Sequence, residues 1–239
     1  MESTLKIGQL TIGSKPEIVV VLSKELNDIE KLKENLSFIK SLKINFVEVR
    51  VDFLENISRL SEILDIIGDY NLYMIGTIRP QFEGGKFPFD ENRLILFEEL
   101  LEHPNVYLID IELRSKVVKE VVELAKKKKK HVIVSYHDFE KTPEVEEIKN
   151  IYNQIKALSP TFPKISFKAN SYLDVRKLHF AMAEYSDLKI YMSMGEYGKV
   201  SRVDSFIFGS VFTYTFVGEA AAPGQIDLFT LRTLLKILY

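Results

Sequence analysis

Residues 106–136 read VYLIDIELRSKVVKEVVELAKKKKKHVIVSY, and this stretch decides the fold. It opens on one β-branched apolar run, Val106–Ile111, and closes on another, Val132–Tyr136. Between them Ser115 stands where a cap belongs, ahead of an expected helix over Lys116–Lys129. The lysines Lys126 to Lys130 end that helix, where cations favour the negative pole of its dipole. A solvated helix end accounts for them better than a nucleic-acid or membrane contact. One strand, one helix and the start of the next strand thus take roughly 30 residues, the length of a βα unit.

The same pattern runs along the chain. Apolar strand-like runs recur at Ile18–Leu22, Asn45–Val51, Tyr73–Ile78, Val106–Ile111, Val132–Tyr136, Lys164–Phe167, Lys189–Met194 and Phe206–Ser210. Several are apolar nearly throughout, as strands covered on both faces are. Helical patterns separate them. Leu60, Ile63, Leu64 and Ile67 follow Ser58, and Leu94–Leu101 follows the acidic Asp90-Glu91. Thr142-Pro143 reads as a cap with proline at the first helical position. Ser171 and Asp174 form a capping-box pair, and Leu228–Leu238 is a last amphipathic helix. Eight such units fill 239 residues. The expected architecture is an α/β (β/α)8 TIM barrel, one domain over residues 1–239. A doubly wound sheet with a nucleotide turn is disfavoured, because Ser23-Lys24-Glu25-Leu26 after the first run lacks glycine. Residues 5–14 read as an extra N-terminal β-hairpin, expected to close the bottom of the barrel.

Composition narrows the chemistry. Hydrophobic residues at 46% and charged residues at 28% fit a soluble globular chain. A net charge of −2 argues against general nucleic-acid binding. Cysteine is absent, so disulfides, thiolate metal sites and a thiol nucleophile are excluded. The N-terminal residues carry no secretory pattern, and no apolar stretch reaches the roughly 20 residues of a membrane helix. A cytoplasmic location is the expectation.

In such a barrel, reactive groups gather at the carboxyl ends of the strands. Glu48, Arg50 and Asp52 alternate, and so are expected on one strand face. Arg79 ends the third run and is followed by Gln81-Phe82-Glu83-Gly84-Gly85. Asp110 and Glu112 alternate on the fourth. His137 and Asp138 end the fifth, Lys164 lies in the sixth, Met192 and Met194 in the seventh, and Arg202 just beyond. Any one such charge is more often solvated or salt-bridged than catalytic, and strand methionines are more often filler. The joint set is informative, and a locally basic mouth of Arg50, Arg79, Lys164 and Arg202 is expected. A lysine desolvated in a strand and crowded by arginines favours its free amine. That amine can form an imine with a ketone, while a histidine moves protons beside it. Arginines suit a carboxylate substrate. Aldol cleavage and β-elimination of water both fit this set. A non-catalytic ligand-binding barrel is a further alternative.

The ordered motifs resemble those of the type I 3-dehydroquinate dehydratase family. They are Glu48-Val-Arg50-Val-Asp52, Gly76-Thr-Ile-Arg79-Pro-Gln-Phe-Glu83-Gly-Gly85, Ser135-Tyr-His137-Asp-Phe139-Glu-Lys-Thr-Pro143, Pro163-Lys164-Ile165-Ser166, Met192-Ser-Met194 with Gly198 and Ser201-Arg202, Phe208-Gly209-Ser210, and Ala222-Pro-Gly-Gln225. The resemblance implies dehydration of 3-dehydroquinate in the shikimate pathway, without metal or organic cofactor, by a cytoplasmic homodimer. It implies an imine on Lys164, acid/base chemistry by His137 and tuning of His137 by Glu83. Arg202 would take the substrate carboxylate, with Gln225 on a closing loop. Glu48, Arg50 and Arg79 would engage ring hydroxyls, and Met192, Met194 and Phe139 would form apolar walls. Ala221 stands where family members commonly have serine, losing a contact of about 1 kcal/mol. Tyr214 stands where phenylalanine is frequent.

Overall fold

The protein is described by a computed structural model over residues 4–88, 92–218 and 224–239. Two strands, β1 (Leu5–Ile7) and β2 (Leu10–Ile12), pair antiparallel as the expected hairpin, with Leu5 opposite Ile12. Ile7 and Ile12 are its fully buried residues. Then strands and helices alternate: β3 (Glu17–Leu22), α1 (Ile29–Ser41), β4 (Phe46–Arg50), α2 (Leu60–Gly68), β5 (Tyr73–Thr77), α3 (Arg93–Glu102), β6 (Val106–Glu112), α4 (Val118–Lys127) and β7 (His131–Asp138). The series continues through α5 (Val145–Ala157), β8 (Phe162–Lys168), α6 (Tyr172–Ala183), β9 (Ile190–Met194), α7 (Ser201–Asp204), β10 (Phe212–Phe216) and α8 (Leu228–Leu238). The eight strands β3 to β10 form one sheet in the order β10-β3-β4-β5-β6-β7-β8-β9. This succession of parallel strands and helices is a (β/α)8 barrel. Among the described residues no helix is long and apolar enough to cross a membrane.

Two groups of residues form compact units, Val19–Ile133, and Met1–Ile18 with Val134–Tyr239. In Val19–Ile133, parallel register sets Val21 beside Glu48, Glu48 beside Ile75 and Thr77 beside Asp110. Every residue of β4 is buried, in keeping with the near-continuous apolar runs of the sequence. In Val134–Tyr239, β8 pairs with β9 so that Lys164 meets Ile190 and Ser166 meets Met192.

Three local readings differ from expectation. The run Phe206–Ser210 is not the eighth strand. Ser205–Phe208 forms a 3-10 turn, Gly209 takes a left-handed φ of 93°, and the strand is Phe212–Phe216. A short apolar run does not declare its period. Here Phe206 packs on Tyr239, and Phe208 on His179. Helix α4 begins at Val118, two residues later than the cap reading placed it, although Ser115 Oγ still accepts from the Val117 N–H. Thr142 does not cap α5. Its hydroxyl donates to the Lys168 carbonyl at 2.8 Å, and α5 begins at Val145.

The capping box at α6 is as expected, with the Asp174 carboxylate accepting from the Ser171 N–H at 3.1 Å. Asp174→Ala leaves that donor to water. It is expected to lower stability by about 1 kcal/mol and Tm by roughly 3 °C, read by thermal denaturation.

Candidate active site

Within Val19–Ile133 the predicted site residues sit at strand ends. Glu48 and Arg50 occupy the last half of β4, both buried. Glu48 accepts from the Thr77 hydroxyl at 2.7 Å. Asp52 does not continue the strand face. Val51–Phe53 is a 3-10 turn, which brings the carboxylate back onto Arg50 in a two-bond fork of 2.8 and 2.7 Å. The same carboxylate accepts from the backbone N–H of Arg79 and of Lys86. Asp52 therefore ties the end of β4 to both ends of the loop that carries Glu83.

That loop closes on itself because residue 85 is glycine. A Cβ there would lie 1.9 Å from the Arg79 carbonyl oxygen, whereas Gly85 donates its N–H to the Pro80 carbonyl at 3.0 Å. Glu83 is held at the turn, buried, and accepts from Arg114 Nε at 2.8 Å. Burial, then the neighbouring Glu112, raise its pKa to about 7, although Arg79 and Arg114 pull the other way. Arg114 is substantially exposed, so its pairing is softened by solvent.

Arg79 donates to Glu112 at 2.5 Å and to Asp110 at 2.9 Å. Burial opposes its charge, but Asp110 and Glu112 outweigh it and raise its pKa. Arg93, fully buried at the start of α3, donates to the other oxygen of Glu112 and to the Ile78 carbonyl. Arg50 and Arg79 are thus matched by carboxylates, which corrects the expectation of a basic mouth in this part of the chain.

Within Val134–Tyr239 the pattern is different. Lys164 is the third residue of β8, 4% exposed, with Nζ 4.2 Å from the centre of the Tyr214 ring. Lys168, at the end of the same strand, is exposed. His137 lies near the end of β7, the neighbour of β8 in the sheet, and is buried. Its ring stacks on Phe139, with centroids 6.2 Å apart and planes at 22°. Register puts Met192 and Met194 on the face of β9 that matches Ser166 and Lys168 on β8, in line with Lys164. Both methionines are buried.

Arg202 is held by α7, 2% exposed. Its partners are oxygen and sulfur dipoles, the Gly224 carbonyl at 2.8 Å, the Tyr214 carbonyl at 3.1 Å and Met192 Sδ at 3.6 Å. Among the described residues no carboxylate pairs with it. Burial lowers its pKa to about 10. A buried guanidinium without a counter-ion is suited to an incoming anion. Gln225, next to the carbonyl that fixes Arg202, is half-buried. Ala221 lies outside the described residues.

The type I 3-dehydroquinase family matches residues 19–239 of the chain. The chain belongs to that family. It is 38% identical to a 3-dehydroquinate dehydratase of Hydrogenobaculum sp. over 84% of this chain and 92% of that protein. With the 3-dehydroquinate dehydratase of Clostridioides difficile it shares 34% identity over the full chain and 98% of the relative. The crystal structure of the Clostridium difficile type I enzyme with covalently modified comenic acid superposes with a TM-score of 0.90. That likeness is at 32% identity and covers 99% of this chain and 98% of the other.

Sequence reasoning assigned no role to four residues that hold the Val19–Ile133 part of the site together, Asp52, Arg93, Asp110 and Glu112. Asp110 and Glu112 were visible as an alternating acidic pair on β6. Arg93 gave no signal, since the first residue of an amphipathic helix reads as a surface cation. Asp52 was visible only as a member of the Glu48–Asp52 motif. Together they fix Arg50, Arg79 and the Glu83 loop.

Glu83 also sets a pH dependence. Its pKa in the folded chain, about 7, stands above the ordinary 4.5. Folding therefore takes up a proton in that interval, and the associated stability is present at low pH and lost as pH rises through 7. Glu83→Gln is expected to flatten the change in unfolding free energy between pH 5.5 and pH 8 by about 2 kcal/mol. Urea titrations at the two pH values measure it. An equally steep change in the variant would remove Glu83 as its source.

Proposed function

We propose that the chain dehydrates 3-dehydroquinate to 3-dehydroshikimate through an imine on Lys164. The observation that carries this reading is the desolvated Lys164 amine against the Tyr214 ring, on the strand next to the one that bears His137. The family to which the chain belongs and the covalently modified ligand in the Clostridium difficile relative support it.

The chemistry runs as follows. The Lys164 amine adds to the C3 ketone and the carbinolamine loses water, leaving an iminium. That cation acidifies the C2 proton, which His137 removes to give an enamine. Electrons return from the enamine as the C1 hydroxyl departs, and His137 gives it the proton, so water leaves. Hydrolysis of the conjugated iminium frees the product and the amine. Glu83, with its raised pKa, tunes His137. Arg202 receives the C1 carboxylate beside Gln225, and the arriving anion supplies a counter-charge that the buried guanidinium does not find among the described residues. Glu48, Arg50 and Arg79 bear on the ring hydroxyls, and Met192, Met194, Phe139 and Tyr214 are apolar walls. Ala221 supplies no hydroxyl to the closing loop. Neither a metal nor an organic cofactor enters any step. The reaction belongs to the shikimate pathway, carried out in the cytoplasm, by residues 1–239 acting as one barrel domain. The cysteine-free composition and a structural likeness that covers 99% of the chain support these last two points.

Borohydride added with 3-dehydroquinate is expected to fix an adduct on Lys164, located by peptide mass spectrometry. Lys164→Met forms none. His137→Ala keeps the trapping but loses turnover by a factor of about 10³ or more. Active wild-type enzyme that yields no adduct would falsify the imine route, and a fully active His137→Ala variant would remove histidine from the proton transfers.

We also infer that the enzyme is a homodimer. Support comes from the outer face of α6 and its surroundings, where Tyr172, Leu173, Phe180, Tyr197 and Val200 are 41–66% exposed. So much exposed apolar surface on one side suits a second copy. Sedimentation equilibrium is expected to give twice the chain mass, and Leu173→Glu with Phe180→Glu to give the single-chain mass. A monomeric wild type would overturn the inference.

A further inference from the structure

The reaction leaves one buried amine without a task. Lys189 precedes β9 and is only 1% exposed. Strand alternation puts it on the face of Tyr191, which packs against α6, and not on the face of Met192 and Met194. Its Nζ makes a single hydrogen bond, to the Tyr185 carbonyl at 2.6 Å. An ammonium has three N–H donors, so two are without an acceptor among the described residues. Room for the amine exists because residue 209 is glycine, since a Cβ there would stand 2.7 Å from Nζ.

This amine lines a cavity of about 440 Å³ within the unit formed by Met1–Ile18 and Val134–Tyr239, reached by the turn at Gly13 that follows β2. Phe206, Phe208 and Val211 give it apolar walls, and exposed Ala183 and Ile207 stand at its edge. The nearest carboxylate, Asp187, is engaged by Lys156 at 3.0 Å and by the Tyr152 hydroxyl at 2.8 Å. It attracts Lys189 electrostatically without bonding it.

We propose that this cavity is a second ligand site, for a small monocarboxylate with a compact apolar ring, whose carboxylate accepts the two spare donors of Lys189. The volume falls in the range of small-molecule pockets, and apolar walls around few polar groups are their usual build. A single ammonium with Asp187 close by suits a monoanion better than a doubly charged phosphate. The site is separate from the reaction centre and does not depend on the imine mechanism.

Burial lowers the Lys189 pKa to about 8, and Asp187 and Lys156 act on it in opposite directions. The other titratable groups around it are Tyr185 and, from α5, Tyr152, both held above the ordinary tyrosine range. The 206–211 segment and Gly13 bring none. A carboxylate recognises the charged amine, so affinity is fully present below pH 8 and falls as pH rises through it.

Benzoate is the probe, titrated calorimetrically into the full chain. Wild type is expected to bind it, about tenfold more tightly at pH 7 than at pH 9. Lys189→Met is expected to weaken binding at pH 7 about tenfold or more and to abolish the pH effect, with turnover unchanged. Ala183→Trp, a surface change at the cavity edge, is expected to weaken binding as well. It decides the question should Lys189→Met fail to fold. No benzoate binding by wild type, or wild-type affinity in a folded variant of either kind, would overturn the proposal.

Discussion

Arg79 lies beside two carboxylates of one strand, and much of the Val19–Ile133 unit is arranged around keeping that buried charge matched. A guanidinium out of water is costly unless its donors meet acceptors of opposite charge in good geometry. Asp110 and Glu112 meet that need from β6, and Glu112 then requires a second cation, which Arg93 supplies from the first turn of α3. The Arg79 backbone N–H is taken by Asp52, whose carboxylate also forks onto Arg50. Removing one member strands another, so strand ends, a helix start and the Glu83 loop are mechanically one object. Such a network adds little net stability compared with an apolar core. Its consequence is positional, because each side chain has one arrangement in which every charge is answered.

The Val134–Tyr239 unit solves the same problem in another way. Arg202 is as buried as Arg79 but meets carbonyl dipoles and a thioether where Arg79 meets carboxylates. Dipoles hold the guanidinium in place without cancelling its charge. Among the described residues no carboxylate answers that charge, which an anionic substrate would. Lys164 likewise faces an aromatic ring, which attracts a cation weakly. Guanidinium groups matched by carboxylates in one part of the chain, and a guanidinium held by dipoles with an amine against an aromatic ring in the other, are consistent with a rigid frame and a reactive set.

The barrel was legible because its signal is repetitive. Eight apolar runs at regular spacing survive errors in any one of them, and the miss at Phe206–Ser210 was absorbed when Phe212–Phe216 took the place of that strand. The run itself carried no period, and only the left-handed Gly209 marks where a strand is impossible. Lys164 and His137 stood out in the sequence because costly groups in apolar strands need a reason, and Arg202 because it follows such a strand closely. The matching of Arg50 and Arg79 was not. Sequence shows that charges of both signs cluster, but which pairs saturate depends on the 3-10 turn at Val51–Phe53 and on Arg93 folding inward. Neither leaves a trace in composition or spacing. The Thr142 cap failed for a related reason, since its hydroxyl finds a tertiary acceptor, the Lys168 carbonyl, that outcompetes the local one.

Strand parity separates two lysines that composition alone treats alike. Lys164 and Lys189 are both nearly fully buried, both near strand starts, and both on neighbouring segments of the sheet. Register aligns Lys164 with Ile190, the residue after Lys189, so the two amines leave the sheet on opposite faces. One joins Met192, Met194 and Tyr214, while the other joins Tyr191 and the helix layer. Desolvation acts on any buried lysine, so burial by itself cannot mark the reactive amine. What distinguishes Lys164 is the company that the period-2 repeat selects for it: an aromatic ring, two thioethers and the strand that carries a histidine. A single-residue shift in the register of β8 would exchange that company for the helix-facing layer. The parallel ladder from Lys164–Ile190 to Lys168–Met194 is therefore as much a part of the proposed chemistry as the amine itself.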